Sequence, residues 1–226
     1  RRDRALLDLR TFASRSFSLA VILVVVAMAA MFGTLVLLPI YLQDVLALST
    51  LETGLMLLPG GVLMGLIAPV VGSLFDRFGP RPLVIPGMIV AAAALWGMTT
   101  FGLATPAWWI ITVHLALNLG LGFVFTPLLT SALGSLPRPL YPHGSAIVGT
   151  VQQLAGAAGT ALFVTVMSLG LASGVQQGTD VVDATAAGIH AAFLTGAIIA
   201  LGAVVLAFFV RRPVTDASEE ASVLVH

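Results

Sequence analysis

The sequence predicts an all-α membrane protein, a bundle of six transmembrane helices, and three observations carry that prediction. Of 226 residues, 58% are hydrophobic and 9% charged, whereas a soluble domain needs roughly 25% charged residues to face water. Six apolar runs are each long enough to cross about 30 Å of hydrocarbon. All ten positive charges, every one an arginine, fall in segments that alternation of those runs places on one side.

The runs follow one another with short connections. The first, Phe17 to Tyr41, comes after Arg1, Arg2, Arg4, Arg10 and Arg15 and carries Pro39 near its far end. The second, Thr53 to Leu74, opens on Gly54 and Pro59-Gly60, and Arg77 and Arg81 separate it from the third, Leu83 to Leu103. The fourth, Trp108 to Leu133, contains His114, Asn118 and Pro127, and Arg138 follows it. The fifth, Ser145 to Leu171, is rich in glycine and alanine. The sixth, Ile189 to Val210, ends against Arg211 and Arg212. Helix is the only reading for these runs, because a lipid-facing backbone must satisfy its own hydrogen bonds and runs without alternation do not suit barrel strands. Residues 1–16 then form a linker, 17–210 the six-span bundle and 211–226 a tail.

The far-side connections carry Asp44 and Glu52, then no charge near Thr105, then Asp180 and Asp183. By the positive-inside rule the arginine side is cytoplasmic, so both ends of the chain are expected there, in a multi-pass protein of the inner or plasma membrane. Tyr41, Trp96, Trp108 and Trp109 lie within or near span ends, and several of them suit anchoring at the interface. Pro39 and Pro127 sit at corresponding ends of spans 1 and 4, as an inverted repeat of three spans would place them; proline is also common in membrane helices generally.

Other functions are excluded by the same inventory. Net charge is zero, so no basic field recruits nucleic acid. Cysteine is absent, and no histidine pair has metal-ligand spacing with a supporting carboxylate, so neither metal nor cofactor is expected. The chain opens on Arg1 rather than Met, with no cleavable leader, and reads as a fragment of something longer.

The densest polar signal is the turn after span 2, Gly72-Ser-Leu-Phe-Asp76-Arg77-Phe-Gly79-Pro-Arg81. Gly72 and Gly79 allow close approach or a sharp turn, Asp76 suits the positive end of a neighbouring helix, and Arg77 and Arg81 can pair with carboxylates or headgroups. It reads either as a charged latch favouring one gate state or as a turn whose arginines enforce topology.

This turn resembles the Gly-x-Leu-x-Asp-Arg-x-Gly-x-Arg signature of the major facilitator superfamily. Three further segments resemble the fourteen-span drug:proton antiporters of the EmrB/QacA type: Gly54 to Gly60, Gly120 to Pro127, and His143 to Ala161 with its Gln152-Gln153 pair. The resemblance covers all six spans. It implies the carboxyl-terminal half of an exporter that trades hydrophobic or cationic small molecules for protons by alternating access, the missing amino-terminal half of the polypeptide being its partner in the lipid bilayer. It also implies that spans 1, 2, 4 and 5 line the cavity and that the charged turn stabilises a cytoplasmically closed state. No Asp or Glu lies inside the spans away from their ends, so proton coupling is expected upstream. Alternative cargoes are a metabolite, a siderophore or a self-made antibiotic; a self-contained six-span enzyme or channel is the rival of another class.

Within the spans, polar side chains must find partners or line a wet cavity. His114 and Asn118 are four residues apart and share one face of span 4, continued by Gly122 and Phe125. That face is either a cavity wall, with His114 sensing protons, or a hydrogen-bonded helix contact. Gln152 and Gln153 project from different faces of span 5; one can reach a cavity and the other is expected to bond to a neighbouring helix. The spacing of Gln152, Gly156 and Gly159 puts small residues on the Gln152 side, and Ala155 with Gly159 makes a small-xxx-small pair for close packing.

Overall fold

A computed structural model describes residues 9–210. After a 3₁₀ turn at Leu9–Ala13 come six helices: α1 (Arg15–Ile40), extended by a π-helical segment at Tyr41–Val45, α2 (Thr50–Phe78), α3 (Arg81–Met98), α4 (Ala107–Gly134), α5 (Tyr141–Gln176, after a 3₁₀ turn at Arg138–Leu140) and α6 (Val181–Ala207). All six are long and apolar enough to cross a membrane, and no strand occurs among the described residues. The predicted all-α bundle is therefore the one observed. The tail at 211–226 and part of the linker lie outside the described residues.

Helix ends, unlike helix number, depart from the apolar runs. Ser49 caps α2 in a capping box with Glu52, so that helix begins three residues before Thr53. The Asp180 carboxylate accepts from the Val182 N–H at 3.0 Å and starts α6 well ahead of Ile189. Asp183 belongs to the first turn of that helix rather than to a free connector. α5 reaches from Tyr141 to Gln176, beyond both expected limits. Each overhang carries polar residues because it extends past the hydrocarbon, where helix formation no longer requires an apolar side chain. α3 is shorter than expected, because Thr99 and Thr100 turn their hydroxyls back onto the Trp96 and Gly97 carbonyls (both 2.7 Å).

In the interior α1, α4, α3 and α6 form a ring, each adjoining the next, while α2 leans on α4 and α5 on α1 and α6. α1 thus runs along α5 as α4 runs along α2, the exchange that an inverted repeat requires; the α5–α6 pair is intimate, however, and α2 scarcely touches α3. Small residues set the closest seams, as membrane helix packing demands where no hydrophobic drive separates protein from lipid. A Cβ on Gly120 of α4 would lie 2.7 Å from the Gly87 carbonyl and 2.6 Å from the Ala91 nitrogen of α3. On Gly170 of α5 it would lie 2.6 Å from Gly188 Cα of α6. Phe163 of α5 is wedged between two such notches, Gly33 of α1 and Gly196 of α6.

The end remote from the arginines is tied by aromatic and polar contacts. Tyr41, expected as an interfacial anchor, is instead 1% exposed: its hydroxyl donates to the Gly102 carbonyl at 2.6 Å and its ring stacks on Phe101 at 5.3 Å. The π segment and the α3–α4 connection meet there and cover the ring. Phe101 then meets Phe193 edge-on at 6.2 Å, and His190 Nδ1 donates to the Thr99 carbonyl at 2.7 Å, fastening α6 to the same connection. Trp108 remains exposed, as an interfacial residue should.

Candidate functional site

The predicted site residues fall into three groups, and the structure does not bring all of them together. His114 and Asn118 lie where α4 meets α2. The Asn118 Nδ2 donates to the His114 carbonyl at 2.9 Å and approaches His114 Nε2 at 3.2 Å. Directly opposite stands Gly60: a Cβ there would be 2.5 Å from His114 Nε2 and 2.7 Å from Asn118 Nδ2. Gly122, one turn on, faces Ile67 in the same way. The polar face of α4 therefore seats into α2 along much of its length, with both side chains part-buried. The notch exists because Pro59-Gly60-Gly61 leaves α2 without side-chain bulk at that level.

A second group lies on α5. Ala155, Gly156 and Gly159 form the contact stripe toward α1, with Gly156 against the Phe32 ring and Gly159 against Ala29. Gln153 is exposed and helps line an open groove of about 540 Å³ with Phe32, Gly156, Ala157, Thr160, Ala161 and Val164. Gln152 is half-buried. The interhelical hydrogen bond expected of one glutamine is not made among the described residues, because the stripe brings the backbones together and leaves both amides flanking it. The groove is mostly apolar, with an amide and a hydroxyl at its edge, and sits near the middle of both helices. Phe32, which shares it, carried no motif in the sequence; Thr160 falls in the His143 to Ala161 segment, and helical spacing on α5 places it on the side of Gln153 and Gly156.

The charged turn forms the third group, at the arginine end. Gly79 ends α2 with φ +80°, and its N–H bonds to the Phe75 carbonyl at 2.7 Å. That backbone favours glycine. Pro80 and Pro82 then start α3 at once. Asp76 and Arg77 are in the last turn of α2 and exposed; Arg81 opens α3. The Arg77 guanidinium lies 5.2 Å from the centre of the Phe78 ring, and no ion pair joins the turn's charges among the described residues. Gly72 differs from expectation: α2 runs straight through it, and a Cβ there would meet nothing within 4 Å. It opens a bare strip on the outer side of α2 and makes no close contact within this bundle.

α2 is the least buried of the six helices, with 11% of the membrane-crossing stretch buried against 50% in α1. Leu51, Leu55, Leu58, Val62, Leu66 and Val70 point outward along it. Six spanning helices, a glycine-ended charged turn between the second and third, and a mid-helix groove together define the arrangement to which known proteins can be compared. Residues 2–160 match the profile of the Major Facilitator Superfamily.

The chain belongs to that superfamily.

It is 43% identical over 215 residues to the lincomycin resistance protein LmrB of Listeria monocytogenes, covering 93% of this chain and 46% of that protein. To LmrB of Bacillus subtilis it is 39% identical, with 93% and 45% covered. A multidrug resistance protein B homolog of Mycobacterium tuberculosis is 34% identical over 165 residues, 72% of this chain and 30% of that protein. The chain spans about half the length of the LmrB proteins it matches.

Proposed function

We propose that the chain is the carboxyl-terminal half of a proton-coupled multidrug exporter in the cell membrane, working by alternating access, with its arginines and both of its ends toward the cytoplasm. The groove on α1 and α5 is the observation that carries this reading. It offers apolar surface, the half-buried Phe32 ring and the Gln153 amide on the small-residue seam where two helices can slide. A hydrophobic cation fits such a wall through apolar contact and the ring face, and two LmrB relatives bear names of drug resistance.

In this reading Gln153 contacts cargo directly and Gln152 flanks it. His114 and Asn118 shape the path from the α2–α4 seam. Asp76, Arg77 and Arg81 have no ionic partner among the described residues, which fits a latch that closes on the other half in the cytoplasmically closed state. The acidic residues among the described residues all lie at helix ends or caps, so the carboxylate that carries the proton belongs to the amino-terminal half.

The test is drug susceptibility of an exporter-deficient host expressing the complete polypeptide. The reading expects raised inhibitory concentrations for lincosamides or cationic dyes, shifted between compounds by Gln153→Ala and Phe32→Ala. An unchanged susceptibility profile across the panel would refute it, and unaltered profiles for His114→Ala and Asn118→Ala would remove those two residues from the path.

A further inference from the structure

At the arginine end, the start of α1 and the turn that follows α6 flank a cleft that the transport reading does not use. Arg15, Ser16 and Leu19 line it on one side and Phe209 on the other, around a volume of about 400 Å³. Arg15 is exposed, and its guanidinium makes no hydrogen bond or ion pair with any described residue. Leu19 lies one helical turn deeper on the same face of α1, about 6 Å further into the membrane. Phe208, Phe209 and Phe12 are exposed nearby, at 50%, 65% and 40%.

We propose that this cleft is a binding site for an anionic phospholipid. The guanidinium of Arg15 takes the headgroup phosphate through two parallel N–H donors, the Ser16 hydroxyl faces the glycerol, and an acyl chain lies along Leu19 and Phe209. The cation stands at headgroup level and the apolar walls continue toward the hydrocarbon, so the cleft matches a phospholipid in both polarity and direction. A soluble anion would gain nothing from the walls. A zwitterionic lipid would bring its own cation against Arg15. Basic pockets between membrane helices select anionic headgroups on these grounds.

The site rests on the helices themselves and not on the exporter reading, and its test measures binding alone. The complete polypeptide, purified and delipidated in detergent, is titrated with dioleoyl-phosphatidylglycerol and with dioleoyl-phosphatidylcholine, and lipid adducts are counted by native mass spectrometry. The site predicts one phosphatidylglycerol held roughly tenfold more tightly than phosphatidylcholine. Arg15→Gln removes that preference, Phe209→Ser weakens both lipids, Arg15→Lys keeps part of the preference, and Arg138→Gln, a cation elsewhere on the same face, leaves it intact. The proposal is overturned if Arg15→Gln keeps the preference, if Arg138→Gln lowers it equally, or if inorganic phosphate displaces the lipid. Should Arg15→Gln fail to fold, Phe209→Ser and Arg138→Gln decide the matter by the same readouts.

Discussion

Replacing Gly60 by alanine tests the α2–α4 seam. The new methyl would stand 2.5 Å from His114 Nε2, 2.6 Å from its Cδ2 and 2.7 Å from Asn118 Nδ2, whereas non-bonded heavy atoms rest at about 3.5–4.0 Å. Roughly 1 Å must be found. The obstructing atoms are side-chain ends, so the cheapest response is rotation of the imidazole, which forfeits its contact with Asn118. Overpacking of this kind costs about 1–3 kcal/mol, and the lost side-chain hydrogen bond to Asn118 about 0.5–1.5 kcal/mol. The better helix propensity of alanine returns about 1 kcal/mol. The expected net loss is about 1–3 kcal/mol, read as a lowered unfolding midpoint of the purified complete protein. Because the clash is with His114, adding His114→Ala should recover part of the loss, giving a coupling of about 1–2 kcal/mol in a double-mutant cycle. Strict additivity of the two changes, or a Gly60→Ala protein as stable as the parent, would refute the seam.

Other substitutions separate the remaining contacts. Gly120→Ala meets the backbone of Gly87 and Ala91 rather than side-chain ends, so it should cost more than Gly60→Ala, about 3 kcal/mol or above, in the same unfolding assay. Gly156→Leu drives a side chain into the Phe32 ring and the groove; transport should disappear while the protein still purifies as a folded monomer by size exclusion. Tyr41→Phe removes one buried hydrogen bond to Gly102 and keeps the stacking on Phe101, so a loss of about 1 kcal/mol is expected, with little change in drug susceptibility. Gly79→Ala forces a non-glycine residue to φ +80°, at about 1–2 kcal/mol.

The number and order of helices could be read from the sequence because hydrocarbon thickness imposes a minimum apolar length. Their ends could not be read by hydropathy, although local signals were present: Ser49-x-x-Glu52 is a capping box, and Asp180 before Val181 is an N-cap. The π segment at Tyr41–Val45 has no such signal, and the stacking of its Tyr41 on Phe101 joins residues far apart in the sequence. At the site, spacing put His114 and Asn118 on one face, but a polar face in a membrane looks alike whether it meets water or a notch in the next helix. Only the partner decides, and that partner, Gly60, contributes no side chain to recognise. Gln153 was distinguishable from Gln152 only by which side the glycine stripe turns toward α1.

The central claim, that this bundle is half of a proton-driven exporter, is tested most directly with everted membrane vesicles containing the complete polypeptide. A fluorescent cationic dye is supplied outside and a proton gradient, acid inside, is imposed. The account predicts dye uptake that starts with the gradient, collapses when a protonophore is added and is lost in Gly156→Leu. Uptake that ignores the gradient, or none across a panel of dyes and lincosamides, would contradict it.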